Sequence, residues 1–150
     1  MLQTFAAVVL SVAAMVVPPM TLDELRARAD VVVVGRVTHQ EVHRIGGRLF
    51  TFSTLVEGQG TQLRAHLVAL PGGDLDGFSQ RVPGSPVLVV GGRYRLYLGK
   101  ASGPAIPGTT ARSRGVIGFF RGAFVVDDAG RDVPFGEDGA APALPSLGQR

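Results

Sequence analysis

Five residues, His39 to His43 in the order HQEVH, hold two imidazoles and a carboxylate in one short run. Zinc proteases use H-E-x-x-H on a helix, where two His four residues apart share a face and the Glu after the first acts as base. The order here is H-x-E-x-H, and the surrounding VGRVTHQEVHRIGG reads as a strand running into a hairpin. Along a strand, residues i and i+4 stand about 13 Å apart at about 3.3 Å per residue, too far for two metal bonds of about 2 Å. The run is therefore expected to be the polar face of a hairpin, and no metal site is expected.

The run VALPGGDLDGFSQRVPG, Val68 to Gly84, looks at first like a glycine-rich phosphate loop. Such loops need glycines at set positions and a following helix whose N-terminal amides hold the anion. This one has neither G-x-G-x-x-G nor GKS or GKT, leads into FSQRVPGSP, and carries Asp74 and Asp76, which repel phosphate. Pro71, Gly72, Gly73 and Asp74 are read instead as a strand-to-strand connection that could touch a partner, with Pro71 ending a strand and the glycines letting the chain reverse. Within it GFSQR, Gly77 to Arg81, misses the G-x-S-x-G nucleophile elbow at its last position. Ser79, His66 and Asp74 are the nucleophile, base and orienter that closeness in sequence suggests for a hydrolase, and the chain has no Cys. Asp127, Asp128 and Asp132 around Gly130 do not match the calcium loop D-x-[DN]-x-[DN]-G and read as a solvated turn. A last constellation is a surface. Arg64 and His66 on one strand, with Arg93, Arg95 and Tyr97 on another, would make a basic strip with an aromatic member, as on barrel faces that take single-stranded nucleic acid. The plainer reading is a set of arginines lying along an outer sheet face.

The elements that must position these groups are short. Thr21 and Glu24 have capping-box spacing, and Met20 can staple onto Leu25, which predicts a helix over 22–29. VVVVGRV is too apolar for a solvent face and predicts a buried central strand, with a bulge or bend at Gly35. Gly46-Gly47 predicts a hairpin turn. LFTFSTLVEG puts Phe50, Phe52, Thr54 and Val56 on one side; TQLRAHLVAL puts Leu63, Ala65, Leu67 and Ala69 inward and Arg64 and His66 outward. PVLVVGGRYRLYLG reads as a strand with Tyr94, Leu96 and Leu98 facing one way and Arg93, Arg95 and Tyr97 the other. GVIGFFRGAFVVDDAGRDVPF reads as two or three short strands separated by Arg121-Gly122 and Asp128-Ala129-Gly130, and EDGAAPALPSLGQR is too rich in Pro, Ala and Gly to pack.

At 150 residues the chain can bury one real core, and 21 Gly with 10 Pro imply many turns between short elements. The expectation is an all-β domain over 20–136, a small antiparallel OB-like barrel of five to seven strands with one short N-terminal helix, a β-sandwich being the competing architecture; 137–150 is expected to be a disordered tail. The apolar run Phe5 to Val17 is too short to span a membrane and has the length of a secretory signal, so residues 1–14, or up to 20, are expected to direct the chain to a secreted or periplasmic location. Its removal would leave no stable membrane span. Residues 31–126 hold ten Arg and one Lys against four acids, whereas 127–150 hold two Arg against five acids. A basic body of this kind attracts anionic polymers, and export argues against nucleic acid as the partner.

The order TLDELRARADVVVVGRV, RLFTFSTLVEG, VALPGGDLDG and RVPGSPVLVVGGRYRLYLG also resembles a group of small secreted bacterial domains of unassigned activity. Their pattern is a short helix ending in Arg-Ala-Asp, a strand ending in Gly-x-Val, a strand bearing Thr, a Pro-Gly-Gly loop and a Gly-x-x-Tyr strand. Some are joined to matrixin-like metalloprotease domains, and their fold is similar to an OB-type barrel. The likeness covers about residues 20–100; EGQGTQLRAH is looser than the pattern, and no protease half is read here. It implies export and fold class, and it brings no catalytic residue. The expected role is that of a non-enzymatic, cofactor-free domain binding a protein or an anionic envelope polymer. The alternatives are an inhibitor or accessory of a secreted protease acting through residues 71–86, and a hydrolase with a loop-assembled site.

Overall fold

The computed structural model describes residues 18–144. The signal expected over 1–14 and the last residues of the tail, 145–150, lie outside the described residues. Helix α1 (Leu22–Arg28) begins where both halves of a capping box close: Glu24 N–H donates to Thr21 Oγ1 at 3.1 Å, and Thr21 N–H donates to Glu24 Oε2 at 3.1 Å. It stops one residue short of the predicted Ala29, whose extended backbone starts the entry to the sheet. Leu25 is its buried anchor.

Eight strands follow: β1 (Val31–Ile45), β2 (Arg48–Gln59), β3 (Gln62–Pro71), β4 (Gly73–Leu75), β5 (Phe78–Gln80), β6 (Arg93–Leu98), β7 (Ala123–Val126) and β8 (Asp132–Pro134). Six form an antiparallel sheet in the order β3-β2-β1-β6-β7-β8, and β4-β5 is a separate hairpin. The fold is all-β. At the β1–β2 turn Gly46 and Gly47 both take positive φ, 57° and 77°, as a tight two-residue hairpin requires.

One face of the sheet carries the core. Val33 and Val37 of β1, Leu55 of β2, Val68 and Leu70 of β3, Tyr94, Leu96 and Leu98 of β6, and Ala123 and Val125 of β7 pack with Leu88, Phe120 and Phe135. The predicted alternation of β6 is therefore observed. That of β3 is reversed: Val68 and Leu70 point into the core with His66 on their side, while Leu63 and Ala65 are exposed. By count the side of Leu63, Ala65, Leu67 and Ala69 is the more apolar, four residues to two, but the register against β2 decides, pairing Ser53 with Val68 and Leu55 with His66. β1 is central, as predicted, but it alternates rather than being buried on both faces, with Val32 and Arg36 exposed. Its irregularity falls between Val37 and His39, three residues past Gly35.

Three further expectations are corrected. PVLVV is not strand; only Arg93–Leu98 is. The segment before Arg121-Gly122 is not strand but ends in a 3-10 turn, Phe119–Gly122, and the two strands after it are the lower of the two predicted counts. The tail packs at its start: the Val87 N–H donates to the Gly139 carbonyl at 2.9 Å, and a Cβ on Gly139 would stand 2.0 Å from the Ser85 carbonyl oxygen.

No continuous strand among the described residues closes the sheet into a barrel. Residues 114–117 connect its sides instead: Ala69 N–H donates to the Arg114 carbonyl (3.1 Å) and Arg114 N–H to that of Leu67 (2.9 Å), while Gly99 N–H donates to Gly115 (3.0 Å) and Ile117 N–H to Tyr97 (2.8 Å). One segment thus lies against the outer edge of β3 and the far end of β6. Among the described residues no helix is long and apolar enough to cross a membrane.

Candidate ligand cavity

The predicted basic strip is not assembled. β3 and β6 are separated by β2 and β1, about 14 Å at about 4.8 Å per strand. The registers also put Arg64 and His66 on the core side, whereas Arg93, Arg95 and Tyr97 occupy the opposite face. Tyr97 is buried, its ring edge-on to Phe124 at 6.0 Å. Arg95 Nε is held by both oxygens of Asp132, at 3.0 and 2.9 Å. Exposed Arg93 faces Arg36 across the β6–β1 pair, a basic neighbour that the strip did not include.

His39, Glu41 and His43 do lie along one strand, and both imidazoles lean on the carboxylate, each Nε2 at 3.4 Å from a different oxygen. Hydrogen bonds from His39 and then His43 hold the Glu41 carboxyl below its ordinary value. His43 also packs edge-on to buried Phe52. Among the described residues no three His, Cys, Asp or Glu side chains are placed to hold a metal ion.

Ser79, His66 and Asp74 are not brought together. His66 Nε2 is 2.8 Å from Glu57 Oε1, and His66 lies five residues along β3 from Pro71, about 16 Å at about 3.3 Å per residue. Ser79 stands directly across the β4–β5 hairpin from Asp74. Its hydrogen bond, followed by that of Arg81, lowers the Asp74 carboxyl.

The 71–86 connection is itself folded. Gly72 and Gly73 take positive φ of 103° and 140°, Thr51 Oγ1 donates to the Gly72 carbonyl (2.9 Å), Gly72 N–H to that of Leu49 (2.8 Å), and Leu49 N–H to Gln80 Oε1 (2.8 Å). These bonds stitch the hairpin to β2. Between it, the sheet and residues 85–88 is a cavity of about 380 Å³. Gln40 and Ser53, directly opposite on β1 and β2, line it; Gln40 Nε2 donates to Ser53 Oγ at 3.0 Å and to the Leu88 carbonyl at 2.9 Å, tying the 85–88 wall to the sheet. Pro71, Gly72 and Gly73 of the predicted loop also line it, but Asp74 does not.

Gln40, Ser53 and Ser85 were not singled out by sequence. A polar residue inside an apolar strand was the signal for Ser53, but its meaning depends on which face the register buries. Comparison with protein-family models, curated proteins and solved structures matches nothing.

Proposed function

We propose that this chain is an exported, non-enzymatic domain that binds a protein or envelope component at the cavity between its sheet and residues 71–88. The carrying observation is that cavity: the sheet, the β4–β5 hairpin and residues 85–88 frame it through side-chain and backbone hydrogen bonds. The separation of Ser79 from His66 supports a binding rather than a hydrolytic role. The apolar run Phe5 to Val17 and the resemblance to small secreted bacterial domains support export. A photo-crosslinking residue placed at Val87 in cells is expected to give a discrete adduct that the same residue at exposed Thr109 does not. Equal adducts at both, or turnover in a hydrolase panel that Ser79→Ala abolishes, would overturn the reading.

One observation favours protease inhibition as a second reading. The stitched hairpin presents Phe78 two-thirds exposed, with Arg44 over its ring at 5.4 Å. Inhibition of a co-exported protease, lost on Phe78→Ala, would select it.

A further inference from the structure

The lining of the cavity discriminates among occupants, a choice that rests on the cavity being the binding site. Its apolar lining is aliphatic, Leu70, Val82, Pro83, Pro86, Val87 and Leu88, beside the uncharged polar Gln40, Thr51, Ser53 and Gln80. None of its lining residues is Phe, Tyr, Trp or His, so a base or a sugar ring would find no aromatic face on which to stack. Its two charged residues, Arg81 and Asp138, are exposed and opposite in sign, leaving no net charge to hold a phosphate or an ammonium. About 380 Å³ is at the small end for a ligand pocket.

Two observations say what such a space takes. Ser85 lines it, is 6% exposed, and carries the one buried side-chain polar atom among the described residues with no hydrogen-bond partner. Its hydroxyl re-aims about a single bond, χ1. Val89 and Val90 follow close behind Val87 in the chain, and all three are more than half exposed. A free small molecule filling the cavity would leave Val89 and Val90 in water; a chain would cover them.

We infer that the cavity takes an uncharged aliphatic side chain of an extended partner polypeptide, whose adjacent peptide group hydrogen-bonds Ser85 Oγ and whose flanking residues lie over Val87, Val89 and Val90. The test is a titration of the full chain with the capped peptide Ac-Ala-Ala-Leu-Ala-Ala-NH₂, followed by amide chemical shifts. Shifts at Leu70, Ser85, Val87 and Leu88 are expected, and none with the Glu-for-Leu peptide or with tri-N-acetylglucosamine. Ser85→Ala is expected to weaken the leucine peptide about tenfold while the thermal midpoint stays level or rises, because the variant removes an unpartnered buried hydroxyl. Val87→Asp is expected to weaken it in a protein that remains folded. Cavity shifts with the glycan and not with the peptide would overturn the peptide assignment and leave the cavity reading standing. Shifts with neither probe, or peptide binding indifferent to both variants, would overturn the inference itself.

Discussion

At Gly35 the space between two strands dictates the residue. A Cβ there would stand 2.8 Å from the Val56 carbonyl oxygen and 3.1 Å from its carbon, and these are backbone atoms of a paired strand that cannot swing aside. Gly35→Ala is therefore expected to cost about 1–3 kcal/mol through overpacking. At roughly 2–4 °C per kcal/mol, the thermal midpoint read by circular dichroism should fall several degrees. An unchanged midpoint would show that β1 and β2 are free to separate at this point. The glycine is visible in VVVVGRV as an anomaly that reads as a bulge or a bend, because the atom that occupies the place of its missing side chain comes from a residue 21 positions away. The same holds for Gln40 and Ser53, whose pairing exists only in the folded register. Residue-scale features within four positions, such as the Thr21–Glu24 capping box, needed no such knowledge.

Elements divide in the same way between local and remote causes. The β7–β8 turn is local: Asp127 Oδ1 accepts from the Ala129 and Arg131 N–H groups at 2.9 and 2.8 Å, and Oδ2 from Arg131 Nε at 2.9 Å. The Arg131 backbone N–H, then its guanidinium, hold the Asp127 carboxyl below its ordinary value. A depressed folded value means that the stabilisation is fully present above the ordinary Asp range and is lost as pH falls through the lower, folded value. Acid titration followed at the Ala129 and Arg131 amides should inflect below the ordinary Asp range, and Asp127→Asn should abolish the inflection. An inflection at or above that range would contradict the arrangement. This turn was readable from Asp128-Ala129-Gly130 alone. PVLVV was misread as strand because its β-branched composition is real while its backbone partners are not a strand: Val89 N–H donates to Tyr94 Oη, and Val87 N–H to Gly139. The β4–β5 hairpin is hidden for the converse reason, since GGDLDGFSQ is mostly of turn composition and its pairing is three residues long.

For the molecule as a whole, the question is what holds the two sides of the sheet together when no strand among the described residues does. The class was legible, because short β-branched runs between glycines and prolines have few other solutions. The connection was not, because ARSRGV has neither strand alternation nor apolar mass. Its side chain of consequence is Arg114, whose guanidinium donates to Asp30 Oδ2 at 2.7 Å and to the Gly99 carbonyl at 2.9 Å. Asp30 follows α1 and leads into β1, and its own N–H donates to the Leu98 carbonyl at 2.8 Å. Arg114 therefore links the helix exit and the end of β6, while its backbone pairs with β3. The ion pair contributes little because Asp30 is 43% exposed, and the partly buried bond to the carbonyl carries more. Arg114→Met keeps the aliphatic stem and loses both bonds, for a cost of about 1–2 kcal/mol. That corresponds to roughly 5–30-fold in a local opening equilibrium. Hydrogen exchange should accelerate by about that factor at the Ala69 and Gly99 amides, which donate to residues 114 and 115, while amides in the β1–β2 ladder keep their protection. Acceleration spread evenly over the sheet would mean that Arg114 stabilises the fold as a unit; no acceleration at Ala69 would mean that the two sides are held together without it.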